Sequence, residues 1–434
     1  MRTTDHENTC DPAPGAPGPA AAAPGRAAPA PAAPAAGRVV LALLALACGV
    51  AVGNVYFPQA ISPLIASGLG VTPESATLAV TACQSGYAAG IFLLVPLGDR
   101  IPHRTLIVTL LGVTGLGLLA AGAAPGLPAL VGASALVGTA TVVAPVIGPL
   151  AVGLVPEGRR GRVTGTMLSG SLGGMLISRA LGGTMGEWFG WRAPYLLAAA
   201  LSLTVALLLV RALPATVPPS RQRYPALLAE PLRLLRAEPE LRRSCWYHTA
   251  VFSSFTAVWT SVALLLTGPA YGLGAPAVGA LALVNAATMA CTPVAGRLVD
   301  RRGPDAVNLV CLLAVAATGL VLGLGAAGGA VGLAALVVGT LLLDVGLQAG
   351  MVANQVRIYA LRADARGRLN TAYMTCGYVG GSAGSWLGTH LYARWGWWPV
   401  CALVTALATT ALARHLLSTL RPRSPGRGPH PPAR

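Results

Sequence analysis

A short phrase containing Asp-Arg is written twice in this chain, and each copy closes an apolar run. The first copy reads Leu97-Gly98-Asp99-Arg100, with Arg104 following, and the second reads Gly296-Arg297-Leu298-Val299-Asp300-Arg301-Arg302-Gly303, so Asp99 and Asp300 stand 201 positions apart. Arg160-Gly161-Arg162 returns as Arg366-Gly367-Arg368. At that same offset of 206, Gly174 matches Gly380, Gly182 matches Gly388, and Gly190-Trp191 matches Gly396-Trp397. Self-similarity at a fixed offset of this size means two copies of one structural unit.

With 54% hydrophobic and 10% charged residues and a mean hydropathy of +0.65, the chain is too apolar for an ordinary soluble protein. Apolar runs of about twenty residues, the length a bilayer span needs, fall at 39–62, 76–97, 105–124, 128–150, 164–185, 193–212, 246–267, 276–295, 306–326, 331–354, 371–391 and 397–416. The expected fold is an all-α membrane protein of twelve transmembrane helices in two six-helix repeats.

The formal charge of +16 comes entirely from Arg, since there is no Lys. With the N-terminus placed in the cytosol, only Arg192 and Arg394 face outside and only Arg179 lies at membrane depth. This bias toward one side sets both termini in the cytosol. Arg spread over short loops and tails is not the clustered face that nucleic acid requires, so no nucleic-acid partner is expected. The eight Cys show no disulfide or metal spacing, and no cofactor is expected.

Residues 1–37 are rich in Ala, Pro and Gly, a composition that cannot bury a core, and are expected to be a disordered cytosolic tail. No cleavable signal is expected. The expected organisation continues with an N-terminal half at 38–212, a cytosolic central loop at 213–245, a C-terminal half at 246–417 and a disordered basic tail at 418–434.

The paired Asp-Arg loops resemble the loop signature of the major facilitator superfamily, over roughly residues 38–418. The stretches Gly165-Thr166-Met167 through Arg192, and Leu343-Asp344-Val345-Gly346 through Tyr373-Met374, are similar to its twelve-span drug:proton antiporters and arabinose-like efflux permeases. The chain departs from the pattern at Val95, Pro102, His103 and Pro304, and has Ser134 where many such antiporters carry Arg. The resemblance implies a gating role for Asp99, Arg100, Arg104, Asp300 and Arg301. Arg160 and Arg162 in one half, and Arg366 and Arg368 in the other, are the candidate partners.

An ionised side chain at membrane depth needs a partner, an aqueous cavity or a function. Arg179 and Asp344 are the two such groups. They lie 17 residues beyond Arg162 and 13 before Arg357, or roughly 25 and 20 Å deep at about 1.5 Å per residue. The spacing is compatible with Asp344 carrying a coupling proton beside Arg179, or with a fixed ion pair that only holds helices together. Asn54, Tyr56, Gln59, Gln84, Tyr87, Trp259, Asn285, Gln348, Tyr378 and Trp386 are candidate substrate contacts, polar or amphipathic groups inside apolar helices.

There is no Gly-rich phosphate loop and no Lys to complete one, which excludes a nucleotide-driven motor of that kind within this chain. The six His have no ligand spacing, so no enzyme is expected. The expectation is a monomeric secondary transporter of the bacterial cytoplasmic membrane, taking a small molecule and protons as its ligands. Proton-coupled efflux of a partly hydrophobic compound is the leading reading. Import or sugar export on the same scaffold, and more remotely a membrane sensor, are the alternatives.

Overall fold

The computed structural model describes residues 37–214, 222–362 and 365–420. Six helices form the first set: α1 (Arg38–Leu69), α2 (Leu78–Leu93), α3 (His103–Gly122), α4 (Leu127–Ala140), α5 (Arg160–Phe189) and α6 (Arg192–Ala212). The turn Pro73–Ala76 precedes α2, a 3-10 stretch Val95–Asp99 follows it, and α4 resumes as Val143–Gly153. Then come α7 (Tyr224–Ala237), α8 (Pro239–Thr267), α9 (Ala275–Asn285), α10 (Cys291–Gly323), α11 (Gly329–Leu361), α12 (Arg366–Trp395) and α13 (Trp397–Leu420). There is no strand among the described residues.

Every expected apolar segment lies on helix. Nine helical stretches among the described residues are long and apolar enough to cross a membrane. One of them, Ala275–Ala327, spans 53 residues and holds both the eighth and ninth expected segments. It is parted at Gly303 (φ 79°, ψ 163°), just before Pro304, a backbone that only glycine adopts at low cost. Helices α5 and α12 fall outside the nine because both carry Arg together with many Gly, Ser and Thr.

The segment expected as a cytosolic loop at 213–245 holds α7 and the start of α8, while 215–221 lie outside the described residues. Leu227, Pro231 and Leu234 bury one face of α7 at helical spacing. The stretch 418–420, expected within the basic tail, continues α13. The expected tails otherwise lie outside the described residues, apart from Gly37 at the start of α1.

Two helix pairs form the centre of the two repeats. In the first, α1 packs on α5 through backbone: a Cβ on Gly174 would lie 2.1 Å from the Gly49 carbonyl oxygen, and one on Gly170 would lie 2.4 Å from that of Ala45. In the second, α8 packs on α12 through hydroxyls as well. Ser253 donates to the Gly380 carbonyl at 2.6 Å, Thr256 to Gly381 at 2.6 Å and Thr249 to Cys376 at 3.0 Å. Small residues let the backbones approach, and polar side chains then bond across them.

Two prolines shape α1 around its middle. Pro58 and Pro63 lack the N–H that would serve the carbonyls of Asn54 and Gln59. Cys83 donates to the first at 3.9 Å and Ser62 to the second at 3.2 Å. The helical turn between them carries Gln59, which meets Arg179 of α5.

Candidate functional site

Helix direction alternates, so both Asp-Arg loops lie at one end of the bundle. The centre, between the two ends, gathers side chains from both repeats around Arg179. Arg179 is fully buried. Its Nε and Nη2 donate to Gln59 Oε1 at 3.2 and 2.7 Å. Three aromatic rings face the guanidinium, with centroids at 4.1 Å for Trp259, 5.0 Å for Tyr56 and 5.4 Å for Phe255. Such faces offset part of the desolvation of a buried cation.

Asp344, 1% exposed, does not touch Arg179. Its Oδ1 accepts from Trp259 Nε1 at 3.2 Å. The indole therefore stands between the two charges, offering its face to one and its N–H to the other. Donation to a carboxylate moves electron density into the ring and strengthens its attraction for the cation. Arg179 Nη1, Asp344 Oδ2 and Gln59 Nε2 remain buried without hydrogen-bond partners, and such groups call for an additional ligand or a proton.

The aromatic wall continues across the repeats. Tyr56 and Tyr378 share a hydroxyl hydrogen bond at 3.1 Å. Tyr87 lies 4.5 Å from the Tyr378 ring, and Phe252, which sequence reasoning missed, lies 4.7 Å from it. Gln84, one turn before Tyr87 on α2, is fully buried with both amide atoms unpartnered.

Four expected substrate contacts do not join the group around Arg179. Asn54 donates to Thr141 at 3.4 Å and Ser202 at 3.2 Å. Asn285 donates to the Leu281 carbonyl at 2.9 Å and to Thr340 at 3.0 Å. Gln348 bonds Thr288 at 2.8 Å and Thr292 at 3.1 Å. These three amides tie helices within a single repeat. Trp386 is 49% exposed and stacks on His390.

Neither Asp99 nor Asp300 makes an ion pair among the described residues, since the first turns of α5 and the Asp300-Arg301 segment are exposed. Arg366 donates to the Tyr359 carbonyl at 3.3 Å, and Arg368 pairs with Glu230 of α7 at 3.7 Å. Arg104 donates to the Val210 carbonyl at the end of α6.

A cluster that sequence reasoning missed occupies this end of the second repeat. Asp305 accepts from Arg243 at 2.6 Å and Arg357 at 2.5 Å. Glu240 lies 3.3 and 3.7 Å from the same two residues. Tyr247 accepts from Arg243 at 2.7 Å, and His415 Nδ1 lies 3.2 Å from the Tyr247 hydroxyl. The i,i+3 spacing of Glu240 and Arg243 was the only local signal of it.

Two six-helix repeats meeting at a buried, charged and aromatic centre define a membrane transporter of the repeat-built class. The profile of the Major Facilitator Superfamily matches residues 41–385, and the chain belongs to that family. It is 33% identical over 378 residues to "Uncharacterized transporter YgaY" of Escherichia coli O157:H7, covering 87% of this chain and 94% of that one. It is 31% identical over 268 residues to a "Chloramphenicol resistance protein" of Streptomyces lividans, covering 60% and 67%. The fold is shared with a crystal structure of the nucleoside transporter NupG, with TM-score 0.69 and 11% identity over 88% of this chain and 99% of that one.

Proposed function

We propose that this protein exports a small, partly hydrophobic compound in exchange for protons, with both termini in the cytosol. The observation that carries this reading is the sandwich Arg179–Trp259–Asp344, which joins the two repeats through one indole. A proton on Asp344 Oδ2 removes the negative charge that Trp259 donates to. The ring then holds the guanidinium less strongly, and α5 and α8 are freed to move against each other. A compound bound between the aromatic walls needs the same unpartnered atoms, so proton and substrate compete for one site, as exchange requires.

The likeness to a chloramphenicol resistance protein supports an antibiotic as the first compound to test. The excess of Arg toward the loops on one side supports the orientation. Tyr56, Gln59, Gln84, Tyr87, Trp259 and Tyr378 would line the substrate path, and the Asp-Arg loops would gate it.

The test is proton release from purified protein in detergent on adding chloramphenicol and a panel of lipophilic antibiotics. Wild type is expected to release protons, and Asp344→Asn to bind the same compound without release. Trp259→Phe, which keeps an aromatic face and removes the N–H, is expected to bind the compound with weakened release. Compound binding by wild type without any release would overturn proton exchange at this site.

A further inference from the structure

At the end of the bundle opposite the Asp-Arg loops, the two repeats are joined by contacts that transport through the central site does not use. His390 Nδ1 of α12 lies 2.7 Å from Glu74 Oε1 in the turn before α2. Among the described residues, this is the one ion pair between the α1–α6 set and the α8–α13 set. It tops a ladder running inward along α12: Thr77 donates to Thr389 at 3.2 Å, Thr81 of α2 to Ser385 at 3.4 Å, and Tyr56 of α1 meets Tyr378. Beside it, α5 and α9 approach backbone to backbone, since a Cβ on Gly183 would lie 2.6 Å from the Ala275 carbonyl oxygen. Glu187 accepts from the Ala275 N–H at 3.3 Å. This end is shut.

We propose that His390 is a second proton site, distinct from Asp344, which works a latch on this end. With a proton on the imidazole, the bond to Glu74 is charge-assisted and holds α2 against α12. Without it, the ion pair is lost, a single hydrogen bond from a neutral imidazole to the Glu74 carboxylate remains, and the ladder parts. Trp386 stacks on the imidazole with centroids 5.3 Å apart and planes at 15°. A protonated ring gains from such a face, so the tryptophan favours the closed form.

The charged groups at this end include Glu187 of α5 and Arg192 at the start of α6. Arg394 lies one turn beyond His390 on α12. The charges of the other elements packed there sit toward the opposite end: Arg38 of α1, Asp99 after α2, Glu230, Arg233 and Arg236 of α7, Glu240, Arg242, Arg243 and His248 of α8, Arg357 of α11, and Arg414 and His415 of α13. Asp344 of α11 sits midway. The pair therefore answers mainly to the proton supply on its own side, which is the outer side in the orientation proposed above. A proton taken up there would shut the exit once substrate has left.

The test reads conformation and needs neither substrate nor coupling, so it can fail while proton exchange stands, and the reverse. Spin labels on Ser67→Cys of α1 and Ala393→Cys of α12, both exposed positions, are placed in a background with Cys10, Cys291 and Cys376 replaced by Ser, since the latter two are free and partly exposed, and their distance is measured in detergent at pH 5.5 and 8.5. Wild type is expected to gain a population several Å longer at the higher pH. His390→Arg, permanently charged, is expected to stay short at both, and His390→Gln to give one distribution at both. Identical distances in wild type at the two pH values would overturn the latch. So would a pH response that survives in His390→Gln.

Discussion

Position 104 of the first repeat and position 305 of the second stand at the same 201-residue offset as Asp99 and Asp300, yet they carry opposite charges. Arg104 donates to a single backbone carbonyl at the end of α6. Asp305 is held by two arginines from α8 and α11, and through them by Glu240, Tyr247 and His415. One helical scaffold thus ends in a light backbone contact in one copy and in a cluster of at least six side chains in the other. Repetition preserves where a side chain stands and not what it meets, because each partner comes from a different helix. The second repeat is tied together at the Asp-Arg end, leaving the first as the one better able to rearrange there.

Removing each residue of this pair should separate the two copies most widely. Asp305→Ala leaves Arg243 and Arg357, 8% and 7% exposed, with only the more exposed and more distant Glu240 as a shared acid. Breaking a buried pair from one side typically costs about 3–5 kcal/mol. Asp305 is itself 35% exposed, so a cost of about 2–4 kcal/mol is expected, read as a lower unfolding midpoint in detergent. Arg104→Ala should cost less than about 1 kcal/mol, the scale of one exposed hydrogen bond. Equal losses in the two variants would mean that the cluster does not hold the second repeat together.

A smaller contrast separates the two central helix pairs. Gly174→Ala would push a methyl into the Gly49 carbonyl oxygen, forcing α1 and α5 apart at a cost of about 1–3 kcal/mol. Its neighbour Gly173 has open space at that position. There, Ala should be neutral or stabilise by up to about 1 kcal/mol through helix propensity. On the other side, Thr256→Ala removes one hydroxyl bond to the Gly381 carbonyl and should cost about 1 kcal/mol. Should Gly173→Ala and Gly174→Ala behave alike, close backbone packing would not be what joins the first pair.

How far the sequence reached can be judged on particular residues. The helices were legible because apolar runs of bilayer length have few other uses, and the break at Gly303-Pro304 sits where the second Asp-Arg phrase ends. Helix α7 escaped because its buried face is only Leu227, Pro231 and Leu234, set among Arg and Glu. In the site, similar depth placed Arg179 and Asp344 near one level, but depth along two helices says nothing about the indole between them. Asn54, Asn285 and Gln348 looked equivalent to Gln59 and Gln84 as polar groups in apolar helices. Only the hydroxyls of Thr141, Ser202, Thr288, Thr292 and Thr340 on neighbouring elements set them apart, and a linear sequence does not say which hydroxyl faces which amide.

The smallest expected effect concerns the element that touches both repeats. Tyr224 of α7 donates to the Leu93 carbonyl at the end of α2 at 2.6 Å, while Glu230 of the same helix pairs with Arg368 of α12. Tyr224→Phe should cost less than about 1 kcal/mol, since one hydrogen bond at a partly exposed site is lost. Burial raises the Tyr224 phenol above its ordinary value, which favours the neutral, donating form in the folded protein. Its contribution is therefore intact below the ordinary phenol range near about 10 and is lost as the pH climbs through the raised value. The difference in unfolding midpoint between wild type and Tyr224→Phe should be constant at neutral pH and shrink in strong alkali. A difference that grew with pH would mean that the ionised phenol is the form favoured by folding, and that the bond to Leu93 is not what fastens α7 to the first repeat.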